Sequence, residues 1–153
     1  MSRTRIHHFD GFSIKKAGID IQLDMDRVSD NFNRAQYELD SIVMTSMEPF
    51  MPKDTSEFIN VTKEMSAAMA GTGKVVAAAP PQGRFLYEGK VMVGEKSRSA
   101  WAKKAEKKVV TKNNIIYNKT KNPKARSHWF DAAKKKDINA WVDKVKETAG
   151  GGK

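Results

Sequence analysis

The stretch Ala70-Gly71-Thr72-Gly73-Lys74 is where residue types come nearest to a ligand-holding arrangement. A glycine-rich loop ending in lysine can cradle phosphate, with backbone N–H groups as donors and the lysine as countercharge. The full motif needs an earlier glycine and a Ser or Thr after the lysine, but Ala68 and Val75 stand at those places. Gly71 and Gly73 therefore read as a tight turn, since glycine reaches positive φ without steric cost. A zinc centre would have to draw on His7, His8 and His128 in a chain without cysteine, which leaves the ligand set short. No serine lies in a G-x-S-x-G setting, and the carboxylates form no evident catalytic pair. The expectation is a chain with no catalytic residues, no cofactor and no metal: not an enzyme.

Electrostatics is the next candidate for function. The formal charge is +10, and its distribution is uneven: residues 1–89 hold 10 Lys and Arg against 12 Asp and Glu, whereas residues 90–153 hold 18 against 6. Such a basic half fits an acidic protein surface, or nucleic acid through counterion release. Lysine dominates it, with only Arg98 and Arg126 as arginines, which favours general electrostatics over readout of base edges. Phe85, Tyr87, Trp101 and Tyr117 could act as base-stacking platforms, while Trp129, Phe130 and Trp141 have helical spacing and read as core. No helix-turn-helix, RRM or zinc-finger pattern accompanies them.

These residues need elements to position them. With 153 residues, 39% hydrophobic and 30% charged, the chain fits one folded domain. Zero cysteines suit a protein assembled inside the cell. No run of about 18 apolar residues exists and the start lacks an apolar h-region, so neither a membrane span nor a secretory signal is expected. Residues 1–17 read as an arm, residues 18–149 as a single domain, and residues 150–153 as a glycine-rich tail. From Ile19 apolar residues alternate with polar ones through Asp26, the period of a strand. The period then changes to steps of three and four over residues 27–48, an amphipathic helix halted by Pro49 and Pro52. Asp54 and Glu57 have capping-box spacing. Residues 58–69 read as a strand that turns at Gly71-Thr72-Gly73 into a second strand over 74–79. Arg84 to Gly89 reads as a short helix or turn closing on Gly89, and residues 90–108 as a basic loop anchored by Trp101. A strand is expected at 115–117 after a turn at Lys112-Asn113-Asn114. Ser127 would cap a last helix reaching about Thr148, with Phe130, Ala133, Asp137, Ile138, Trp141, Val142 and Val145 as its inner stripe. The fold class is α+β: an antiparallel β-sheet packed by a long helix in the N-terminal half and a C-terminal helix.

Three motifs in order carry a family likeness: Pro52-Lys53-Asp54-Thr55, then Arg84-Phe85-Leu86-Tyr87-Glu88-Gly89, then Trp129-Phe130 opening the last helix. Over roughly residues 18–148 this series resembles the minor capsid proteins of tailed bacteriophages, a group similar to the neck and tail-completion proteins. In that family the motifs look like Pro-x-Asp-Thr-Gly, Pro-Tyr-Ala-Arg-x-Leu-Tyr and a Trp-Phe pair. Here Ser56 stands at the glycine of the first, and Gln82-Gly83 at the Tyr-Ala of the second.

The resemblance implies a structural virion protein, a head-tail connector subunit in the neck, assembled in the host cytoplasm and resident at the head-tail joint. It further implies a homo-oligomeric ring, six copies matching the sixfold tail, between head-completion and tail-terminator or tail-tube proteins. A ring needs two different surfaces on each subunit. The candidates are the arm, through Arg3, Arg5, Phe9 and Phe12, and the basic loop, through Trp101, Lys103, Lys104, Lys107 and Lys108. The tail terminator of the same machine is one alternative, and a basic protein binding DNA non-specifically is another.

Overall fold

The computed structural model describes residues 6–101 and 103–150. Two strands open it, β1 (Phe12–Lys16) and β2 (Ile19–Leu23), paired antiparallel with Phe12 opposite Leu23 and Lys16 opposite Ile19. Their two-residue turn puts Ala17 at φ 53° and Gly18 at φ 78°. Positive φ at both turn residues matches the right-handed twist of the strands. The junction expected between residues 17 and 18 thus falls inside a hairpin.

Helix α1 (Asp26–Met47) follows, its first turn carrying Asp26 at the positive end of the helix dipole. A 3-10 turn, Glu48–Phe50, includes Pro49 and ends the helix where the prolines predict. Helix α2 (Glu57–Met69) comes next, then α3 (Gly83–Glu88), β3 (Lys90–Gly94), β4 (Lys108–Asn114) and α4 (Trp129–Ala149). β3 and β4 form a second antiparallel pair, with an irregularity between Lys90 and Met92. The fold is α+β, its strands in two separate two-stranded sheets and its centre in the packing of α1 against α4.

The core gathers Val43, Met44 and Met47 from α1, Met51 after it, Ile59 from α2, and Trp129, Ala133 and Trp141 from α4. Trp129 is fully buried, donates its indole N–H to the Ala77 carbonyl at 2.7 Å, and meets the rings of Phe58 and Tyr87 edge-on. The Trp141 indole N–H reaches Ser46 Oγ on α1 at 3.0 Å. Each buried indole therefore keeps a hydrogen-bond partner.

Several sequence expectations are corrected. Residues 58–69 are helical: Ile59, Thr62 and Ser66 recur at helical steps and form the buried face, which β-branched residues in FINVT disguise as a strand. Residues 74–79 form no strand, and hydroxyl groups of α2 take the place of a ladder. Thr62 Oγ1 accepts the Ala79 N–H at 3.1 Å, and Ser66 Oγ both accepts from and donates to the backbone of Val76 at 2.9 Å. The strand expected at 115–117 lies instead at 108–114, and β3 occupies the start of the supposed basic loop. The last helix has His128, not Ser127, at its N-cap, at φ 49° and without a side-chain cap; Ala133 and Trp141 of its expected stripe face inward together with Trp129, while Ile138 and Val142 stay exposed. Glu57 is the first residue of α2, and its N-cap is Ser56, with no side-chain cap, so the Asp54–Glu57 box does not form.

Candidate functional site

The segment Pro80-Pro81-Gln82-Gly83-Arg84-Phe85-Leu86-Tyr87-Glu88-Gly89 has an inward and an outward side. Pro80-Pro81 is a cis peptide, and Gly83 starts α3 so close to Ala78 that an added Cβ would lie 2.6 Å from its carbonyl carbon. Gly89 ends the helix at φ 69°, where a Cβ would meet Ser127 Cβ at 2.8 Å. Glycine is required at both places, for close approach at 83 and for the left-handed cap at 89. Inward, Leu86 and Tyr87 pack on the core, the Leu86 carbonyl accepts the Tyr117 hydroxyl at 2.6 Å, and the Tyr87 carbonyl accepts the His128 N–H at 2.9 Å. Burial raises the Tyr87 phenol above its ordinary range, and the carboxylates of Asp131 and Glu88 add to that; burial also raises Tyr117, against a hydrogen bond with Ser127 that lowers it. Both therefore stay protonated in the neutral pH range, and Tyr117 keeps the proton that it donates to Leu86.

Outward, the same segment walls a groove of about 670 Å³ between α3, β3 and the loop before β4. Phe85, Leu86, Val91, Met92, Trp101 and Ile115 make it predominantly apolar. Trp101 stands at its side with 87% of its surface exposed. Lys108 Nζ sits 5.6 Å from the Phe85 ring centre, a cation–π contact, and Arg84 adds a second cation to the lining.

The loop that carries Trp101 is organised by one carboxylate. Glu106 accepts the N–H groups of Ser97 at 2.6 Å and Lys96 at 2.8 Å on one oxygen, and of Lys103 at 2.9 Å on the other. The hydrogen bonds from Ser97 and Lys103 hold its carboxyl down at about 2, from an ordinary 4.5. With Glu106 turned onto the backbone, Lys103, Lys104, Lys107 and Lys108 stand exposed, and Lys108 lines the groove.

The arm divides into a strap and a projection. Asn33 on α1 accepts the N–H groups of Ile6 and His7 and donates to the His7 carbonyl, while Ser29 Oγ accepts the Phe9 N–H at 2.9 Å. Phe9 packs edge-on against Phe32 at 5.1 Å, so this proposed interface residue is engaged within its own chain. Phe12 is free, half-exposed at the start of the hairpin. Register places Phe12, Ile14, Ile19, Ile21 and Leu23 on one face, with Lys16 opposite Ile19 at its turn end, and the five apolar residues are exposed. The opposite face holds the pairs Ser13–Gln22 and Lys15–Asp20, the latter an ion pair at 3.2 Å. Arg3 and Arg5 lie outside the described residues.

The Gly71-Thr72-Gly73 turn already holds an anion of its own. Asp40, buried on α1, accepts the N–H groups of Gly71 at 2.8 Å and Gly73 at 3.0 Å on one oxygen and the Gln36 amide on the other. The donors that a phosphate would need are thus occupied by a carboxylate. Pro52 is half-buried, Asp54 and Thr55 lie exposed before α2, and Phe130 stacks on Trp141 at 6.2 Å. The first motif is therefore on the surface, and the other two meet through Tyr87 and Trp129. Among the described residues no cluster of three or more His, Cys, Asp or Glu could hold a metal, and no helix is long and apolar enough to cross a membrane.

Sequence reasoning missed the apolar face of the hairpin and the role of Asp40. The first was legible: Phe12 and Ile14 alternate before Ala17-Gly18 as Ile19, Ile21 and Leu23 do after it. The second had no local signal, because its partners are 31 and 33 residues away. No family model, curated protein or solved structure matches the chain.

Proposed function

We propose that this chain is a structural virion protein of a tailed phage, a ring-forming neck or tail-completion subunit joining the head connector to the tail, and not an enzyme. One observation carries the reading: a single small domain displays two unlike, unpartnered apolar surfaces, the hairpin face and the groove beside Trp101. A monomer acting alone in water gains nothing from either; a subunit in a closed ring requires two different surfaces. The order of the three motifs supplies the place, since it resembles the phage minor capsid and neck group. Six copies, neighbouring head-completion and tail-terminator or tail-tube proteins, and residence at the head-tail joint follow from that resemblance.

Locating the chain in purified particles tests the proposal. Mass spectrometry should find it in virions, and electron microscopy of particles made without it should show heads and tails that fail to join. Normal joined particles lacking the polypeptide would overturn the reading. A second reading, non-specific DNA binding, is favoured by the exposed lysine rim at 103–108. Filter binding across a salt series separates the two, because a DNA binder loses affinity steeply with salt and the neck subunit shows little affinity to lose.

A further inference from the structure

We propose that the β1–β2 hairpin of one copy seats its apolar face in the groove beside Trp101 of the next copy. The proposal deepens the virion reading and rests on its premise that copies of this chain adjoin.

A two-stranded hairpin is marginal by itself in water and needs something packed on its apolar face. Here that face is apolar over the Phe12–Leu23 and Ile14–Ile21 pairs, which lie side by side, and ends at the turn in Ile19 beside Lys16. Half or so of each of these side chains is exposed, so the rest of the same chain does not cover them. The groove presents the complementary lack: aromatic and aliphatic walls with no hairpin residue among them. Each surface is thus left open by its own chain, and a neighbour in the same orientation offers the other to it.

Charge selects the same pairing. Residues 10–26 carry four aspartates against Lys15 and Lys16, and Lys15 is spent on Asp20. Residues 84–108 carry eight Lys and Arg against three glutamates, and Glu106 is spent on backbone N–H groups. An acidic hairpin base around Asp24 and Asp26 therefore meets the basic groove residues Arg84 and Lys108, which orients the encounter. Hairpin against hairpin would instead place like charges together. The contact is head-to-tail, so it propagates around a ring and does not stop at a dimer.

Absence of cysteine from the sequence makes the test clean. Full-length Ile14→Cys and Trp101→Cys, each exposed and each checked for an unchanged thermal melt, are mixed and oxidised over a concentration series. The mixture should form the heterologous disulfide on the order of tenfold faster than Ile14→Cys mixed with an Asn139→Cys control on the exposed face of α4, because docking raises the effective concentration of the two thiols. The double variant should give a ladder of covalent oligomers. Ile14→Cys homodimers dominating every mixture, or crosslinking no faster than the control, would overturn the docking. Either result leaves the virion assignment standing, since that fails only if particles join without the chain.

Discussion

Two tryptophans of this chain have opposite fates. Trp129 has no exposed surface, a hydrogen bond for its indole N–H, and aromatic edges from Phe58 and Tyr87; Trp101 is 87% exposed on a loop with no ring beside it. Around Trp129 every element of the helical body converges, and the buried side-chain nitrogen and oxygen atoms of the described residues all have partners. Around Trp101, and again on the hairpin, apolar side chains are held out by well-defined backbone: a Glu106-centred loop in one case, an Ala17-Gly18 turn in the other. The difference teaches that this chain divides its apolar residues between two tasks. One set makes the chain fold, and the other is kept at the surface by polar scaffolding that fixes its position without covering it.

The sharpest way to break the comparison is to truncate both rings. Trp129→Ala should cost about 3–5 kcal/mol in urea unfolding, through lost burial and the cavity left among Met47, Phe58 and Tyr87. Trp101→Ala should change the same measurement by less than about 0.5 kcal/mol, because 87% of its surface is already exposed. Equal effects would mean that Trp101 has a structural role in the monomer.

Asp40→Ala should come next, at roughly 1–3 kcal/mol by thermal or urea melt, because it leaves the Gly71 and Gly73 N–H groups without their acceptor. Its effect belongs with the helical body, so the mutant should lose stability without gaining phosphate binding. Acquisition of phosphate affinity by the freed amides would reopen the ligand-binding reading of Gly71-Thr72-Gly73-Lys74.

The smallest effect concerns the scaffold of the Trp101 loop. The Glu106 carboxyl is lowered to about 2 from 4.5, so its contribution is complete above pH 4.5 and is lost as pH falls towards 2. Amide resonances of Lys96, Ser97 and Lys103 should shift together with a midpoint near 2, and Glu106→Gln should abolish that titration. A midpoint at an ordinary carboxylate value would show that the loop is not held in this way.

Much of the body was legible because its signals are local. The alternation at 19–23, the three-four spacing of α1, the proline stop, the Gly89 terminus and the Trp129-to-Trp141 helix each arise from neighbouring residues. Where the reading failed, tertiary partners had replaced the usual pattern. On α2 the inward positions include Thr62 and Ser66, so the buried face looks polar in sequence; it is buried because those hydroxyls serve the backbone of residues 76–79. The last helix was found with Ala133 and Trp141 inward, but its stripe was drawn too wide, since Ile138 and Val142 are as apolar as the residues that do face the core, and only packing chooses among them.

Of the candidate site, the sequence by itself determined the ingredients: Trp101 among lysines, an aromatic α3 bounded by glycines, and an arm with apolar anchors. Tertiary structure decided that Phe9 turns inward while Phe12 stays out, that Phe85 and Tyr87 look to opposite sides of one short helix, and that Asp40 fills the only glycine turn that resembled a phosphate loop. The physical reason is that side-chain chemistry and local backbone preference are written in neighbouring residues, whereas burial and the sharing of hydrogen-bond donors depend on which distant segments the packed core brings together.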